Sequence, residues 1–166
     1  MKEKKTGDTV TLAVSVALAM VLSYIEFLLP PIYAPLPAVK CGLANVAVVF
    51  VLYRLGSARA AAVAAVKVAL TALLFGSFVS LAYSVAGATL SLAAMIALKR
   101  LKCFSAVGVS IAGGVAHNIG QIAVAVALLG RAELALYLPV LAVSGTAAGI
   151  IVGICGGVAL DRIKEI

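Results

Sequence analysis

Polar residues interrupt this chain at regular intervals and leave apolar runs of membrane-spanning length between them. Six spans fit that pattern. The first runs from about Thr9 to Leu29 and stops at Pro30-Pro31, where proline cannot continue a helix. The second is short, about Cys41 to Tyr53. The third runs about Ala58 to Phe75, and Gly76-Ser77 then predicts a tight reversal. The fourth runs about Phe78 to Leu98, the fifth about Phe104 to Leu129 and the sixth about Leu136 to Leu160. The segment Pro30–Lys40 carries four prolines, which predicts an extended, semi-rigid connection. The expected fold is all-α: one polytopic membrane bundle of six transmembrane helices, a single domain over residues 1–166.

Composition agrees with this reading. The chain is 64% hydrophobic and 11% charged, with a mean hydropathy of +1.22. A soluble domain of 166 residues needs far more polar surface. Met1-Lys-Glu-Lys-Lys before an apolar stretch resembles a signal peptide, but the stretch is too long for a signal h-region. It is expected to be a retained first helix.

The net charge of +7 raises the question of nucleic acid, and the distribution of charge argues against it. Basic residues sit at the ends of apolar runs and form no continuous patch. With the N-terminus inside, the cytoplasmic side holds Lys2, Lys4, Lys5, Arg54, Arg59, Lys99, Arg100, Lys102, Arg162 and Lys164. The outside holds Lys40 and Arg131. Ten basic residues against two satisfy the positive-inside rule, so both termini are expected in the cytoplasm and the chain in the cytoplasmic membrane. An odd number of spans would spoil the pattern.

One basic residue remains, Lys67, in the middle of the third span. A charge at the bilayer centre costs about 2.5–3.5 kcal/mol on insertion scales, so it normally faces a bundle interior or a watery cavity. Glu26 lies about one turn below the outer end of its span and Lys67 about two turns below the end of its own. The depth difference is roughly 5–8 Å at 1.5 Å per residue. Two readings stay open: Lys67 pairs with Glu26, or it awaits an anionic or carbonyl group of a ligand.

The other strongly polar residues within the spans are Asn45, His117, Asn118 and Gln121, with Tyr24, Ser77, Ser80 and Ser84 as weaker members. His117 and Gln121 are four apart and share a helix face, with Asn118 adjacent to it. They suit either hydrogen bonding between helices or the lining of a ligand cavity. A lone histidine is too few for a metal site. Cys41, Cys103 and Cys155 are far apart and read as buried or interfacial thiols. No DDxxD pair, P-loop, HExxH or nucleophile motif is present, so neither catalysis nor a bound cofactor is expected. Any ATP-driven step needs a nucleotide site on a partner.

Small residues recur at helical spacing. Gly145, Gly149, Gly153 and Gly157 form an i, i+4 stripe suited to close helix packing. Ala112, Ala116 and Gly120 recur similarly on the fifth span. Ala13 and Ala17 leave a smooth face on the first span, suited to packing or to docking another membrane subunit.

Several stretches resemble the Gx transporter family, which also carries the name heptaprenyl diphosphate synthase component I. They are Gly42-Leu-Ala-Asn45, Leu74-Phe-Gly-Ser-Phe78 and Val109-Ser-Ile-Ala-Gly-Gly-Val-Ala-His-Asn-Ile-Gly-Gln121, with Tyr137-Leu-Pro-Val-Leu141 leading into Ser144-Gly145. That family is similar to the S components of energy-coupling factor transporters. The resemblance implies six helices that bind a small organic solute from outside. A vitamin-, isoprenoid- or redox-cofactor-like compound is the implied class. It also implies that Ala13 and Ala17 match a face docking a transmembrane coupling subunit, with separate ATPases, and that the proline-rich loop matches an external gating loop. Family members often carry arginine where this chain has Lys67. Lysine lacks the bidentate fork. The expected cavity residues are Glu26, Asn45, Lys67, His117, Asn118 and Gln121, nearly all the strongly polar groups within the spans. The competing expectations are a non-catalytic membrane partner of a heptaprenyl diphosphate synthase or redox enzyme, and a stand-alone secondary transporter using Glu26 and His117.

Overall fold

Within lipid, backbone N–H and C=O groups have no water to bond, so a spanning chain satisfies them internally as helix. The computed structural model follows that rule throughout residues 2–28 and 42–163, which are the residues it describes. The helices are α1 (Lys2–Leu28), α2 (Asn45–Arg54), α3 (Ser57–Phe75), α4 (Phe78–Leu101), α5 (Ala106–Leu129) and α6 (Leu138–Ile163). A short 3-10 helix, Ala132–Tyr137, leads into α6. No strand occurs among the described residues. The proline-rich segment, Lys40, Cys41 and Lys164 lie outside the described residues.

Five of these helices are long and apolar enough to cross a membrane. The second expected span, already short in the sequence, is shorter still. Gly42 takes a left-handed φ of 68°, and the Asn45 and Val46 N–H groups close a turn on the Gly42 and Leu43 carbonyls. The helix therefore starts at Asn45 rather than Cys41 and has ten residues. That is about 15 Å, half of a typical ~30 Å hydrocarbon core.

This short helix is the most enclosed element. Ala47, Val48, Val49, Phe50, Val51 and Leu52 are all buried. Four of its ten residues are valine, a side chain that favours strands in water. An apolar surface on every side places a helix inside a bundle, and α2 packs against α1, α3 and α6. Its valines join Val63 of α3, Met95 of α4, Val109 of α5 and Val152 of α6 in the main core.

Side chains from neighbouring helices meet both ends of α2. At its start, Glu26 Oε1 accepts from the Leu43 N–H at 2.6 Å. At its end, Lys99 Nζ donates to the Leu52 carbonyl and lies 5.0 Å from the Tyr53 ring centroid. The signs complement the helix dipole, with the carboxylate at the N-terminus and the ammonium at the C-terminus. Arg59 on α3 and Asp8 on α1 form a 2.7 Å ion pair at the same end as Lys99. Helix order gathers Arg54, Arg59, Lys99, Arg100, Lys102 and Arg162 at that end, with Arg131 at the other.

Helices α4, α5 and α6 touch almost backbone to backbone. A Cβ added at Gly149 would lie 2.5 Å from Ile111 Cα, and one at Gly153 would lie 2.6 Å from Val107 Cα. A Cβ at Gly145 would lie 2.8 Å from the Gly114 carbonyl oxygen. On the other side of α5, a Cβ at Gly120 would lie 2.7 Å from the Ala86 carbonyl oxygen of α4. Gly157 does not continue the stripe, since nothing lies within 4 Å of a Cβ built there. Each four-residue step turns about 400°, so an i+4 row drifts about 40° per step and about 120° over three. Gly156 instead approaches the bundle, with a Cβ 3.1 Å from Val49 Cγ1 of α2.

Gly149→Ala is expected to lower stability by about 1–3 kcal/mol, the usual cost of overpacking, while Gly157→Ala is expected to change it little. Thermal unfolding of both variants in one detergent gives the comparison, and equal losses would contradict the packing described.

Candidate functional site

The polar residues within the spans converge from four helices. The turn Gly42–Asn45 is the meeting point. Glu26 of α1 holds the Leu43 N–H, and Lys67 of α3 donates from Nζ to Asn45 Oδ1 at 2.7 Å. The two ionisable side chains are thus both anchored on one short turn. Near the ends of α1 and α3 the Phe75 ring meets Tyr24, tilted, at 5.4 Å and Phe27, stacked, at 5.3 Å between centroids.

Across the bundle, His117 of α5 is seated on α4. A Cβ at Gly87 would come within 2.8 Å of the imidazole Cε1, so only glycine leaves room for the ring. Its Nδ1 is shielded and has no hydrogen-bond partner among the described residues. The adjacent Asn118 is buried and turned toward α6, where its Nδ2 donates to the Leu141 carbonyl at 2.6 Å and to Ser144 Oγ at 3.4 Å. Ser144 Oγ in turn donates to the same carbonyl at 3.0 Å.

Between these groups lies a narrow cleft bounded by α2, α4, α5 and α6. Asn45, His117 and Asn118 line it, together with Ser91, Ser110 and the glycines Gly113, Gly114, Gly145 and Gly149. Its space admits water-sized groups. Val49, Met95 and Val152 add apolar surface to the lining. Such a mixed lining, apolar with a few convergent polar groups, is the usual character of a small-molecule site.

The expected residues separate into distinct positions. Asn45, His117 and Asn118 come together around the cleft. Lys67 and Glu26 do not line it; they stand behind it and hold the turn that carries Asn45. Gln121 is half-buried one turn beyond His117 and lies outside the lining. Ser77 caps α4 by accepting from the Ser80 N–H at 3.2 Å. Ala13 and Ala17 are exposed on α1 among Val10, Val14, Leu18 and Val21. The opposite face of α1 buries Ser15, Ala19 and Ser23.

Ser91, Ser110 and Gly87 are site residues that the sequence reading passed over. Each sits among small residues inside an apolar run, and only the identity of its neighbours reveals its use. The buried Ser91 and Ser110 recur four residues from Gly87 and Gly114 respectively. That spacing was the available signal. Among the described residues, no three His, Cys, Asp or Glu side chains gather to hold a metal ion.

Five long apolar helices fit a multi-pass membrane protein. The chain belongs to the heptaprenyl diphosphate synthase component I family, whose family model matches residues 15–158. That stretch covers the whole cleft. Comparison with curated proteins and with solved structures gives no match.

Lys67→Met leaves the Asn45 Oδ1 acceptor without this hydrogen bond, and an acceptor left unsatisfied costs about 1–3 kcal/mol. The melting temperature in detergent is expected to fall by several degrees, and an unchanged value would show that Lys67 does not hold the turn.

Proposed function

We propose that this protein is the solute-binding membrane subunit of a transport system. It takes a small organic solute, of the vitamin, isoprenoid or redox-cofactor kind, from the outer side. It moves the solute across the membrane with separate coupling and ATPase subunits, and it is not itself an enzyme. The observation that supports this reading is the cleft. Asn45, His117 and Asn118 meet in the bundle interior although polar groups there are costly. Helix packing alone is served by the glycines, which need no imidazole beside them. The exposed alanine face of α1 supplies a smooth surface for a coupling subunit. The clustered basic end of the bundle faces the cytoplasm, and the Gly42–Asn45 turn opens toward the outside.

The family description favours a second reading. A component I suggests a further component, and a membrane partner of a soluble prenyl diphosphate synthase fits that name. Such a partner needs no solute cleft.

Affinity purification from the native host in mild detergent, followed by mass spectrometry, distinguishes the two. The expected result is recovery of a transmembrane coupling subunit, ATPases and a bound small molecule that Lys67→Met and His117→Ala no longer retain. Recovery of a soluble synthase with no small molecule would sink the transport reading.

Orientation has its own test. Cys103 is exposed in the turn between α4 and α5. In a Cys41→Ser, Cys155→Ser background, a membrane-impermeant maleimide is expected to label Cys103 in inverted vesicles and not in intact cells. Labelling from outside would reverse the topology.

A further inference from the structure

Two of the basic side chains gathered at one end of the bundle are already committed. Lys99 donates to the Leu52 carbonyl, and Arg59 pairs with Asp8. Arg54, Arg100, Lys102 and Arg162 are exposed and make no ion pair among the described residues. Asp8 and Asp161, the carboxylates described at that end, are both engaged. The Lys99 contact also sets the layout. It brings the last turn of α4 against the last turn of α2. Arg54, two residues beyond Leu52, and Arg100, one beyond Lys99, therefore share one corner of the bundle, and the α4–α5 turn carrying Lys102 adjoins it.

Lys102 caps α4 in a left-handed conformation, with φ 57° and ψ 2°. The other positive-φ positions among the described residues, 42, 56 and 130, are all glycine. Glycine, and after it asparagine, fits such a cap best because a Cβ is penalised there. The α4 dipole already has Lys99 and Arg100 in its last turn. Lysine at the cap therefore gives up backbone comfort and supplies a charge at the tip of the turn. On either side of it Leu101 is 64% and Phe104 45% exposed. Unpaired cations interleaved with uncovered apolar side chains, at the end of membrane-spanning helices, match a phosphate that carries acyl chains. Free phosphate would complement the charges and leave Leu101 and Phe104 in water.

We propose that the α4–α5 turn binds the phosphodiester headgroup of an anionic phospholipid through Arg100 and Lys102, with Arg54 beside them and Leu101 and Phe104 against the acyl chains. The site is separate from the cleft and does not rest on the transport reading.

The test titrates the purified full-length protein in mild detergent with dioleoyl phosphatidylglycerol and with dioleoyl phosphatidylcholine, which has the same chains and no net charge. Native mass spectrometry counts the bound lipid. Phosphatidylglycerol is expected to bind more tightly, by about 5-fold for each basic residue engaged. Lys102→Gly suits the left-handed backbone, so its melting temperature in phosphatidylcholine is expected to hold or rise, while the preference for phosphatidylglycerol falls about 5-fold. Lys102→Asn, which also tolerates that conformation, is expected to show the same loss, and Arg54→Gln combined with Arg100→Gln a larger one. Arg131→Gln, at the opposite end, removes an equal charge and is expected to leave the preference unchanged.

Equal losses in Arg131→Gln and Lys102→Gly would reduce the effect to net charge and overturn the proposal. Full competition by inorganic phosphate at matched concentration would also overturn it, in favour of a free-anion site. Equal binding of the two lipids would do the same, and loss of a co-purified protein from Lys102→Gly would then assign the turn to an acidic protein surface.

Discussion

A helix of ten residues inside a bundle has a difficulty that longer helices escape. Its unpaired N–H groups fall inside the bundle, away from bulk water. Here α2 meets that constraint by borrowing partners. Glu26 comes from α1 to its beginning and Lys99 from α4 to its end. The rest of the arrangement follows. The turn that starts α2 is fixed in place, Asn45 is presented by that turn, and Lys67 locks the amide from α3. The ionisable residues of the interior are thus consequences of one short helix as much as of any ligand.

The other half of the molecule is built on a different principle. Helices α4, α5 and α6 approach so closely that glycine replaces side-chain packing along their seams. That closeness makes the socket for His117 at Gly87 and turns Asn118 toward the Leu141 carbonyl. The cleft lies where the two principles meet, with α2 on one side and the glycine-packed helices on the other.

Much of this was legible in the chain. Apolar runs and their basic ends predicted an all-helical bundle, because a membrane leaves the backbone few alternatives. The short second span was visible as a short run, but Gly42 made it shorter still. A glycine inside an apolar run reads as filler until its φ of 68° is known. The intramembrane polar residues were found by being polar. Their sorting into Asn45, His117 and Asn118 at the cleft, Lys67 and Glu26 behind it, and Gln121 beyond it required the helices' rotation about their axes. The same rotation explains Gly156 and Gly157. Spacing names a row of residues, but 3.6 residues per turn carries a strict i+4 row off the face it started on.

Backbone contact between α5 and α6 also has a mechanical meaning. Two helices in such contact have no layer of rotamers to rearrange, so they behave as a single stiff lever. The seam along α2 is different, being packed through side chains, the flexible Met95 among them, rather than backbone against backbone. Compliance is therefore unevenly distributed across the molecule. Any displacement of α2 has to break a tether at one end of the helix or the other, Glu26 or Lys99.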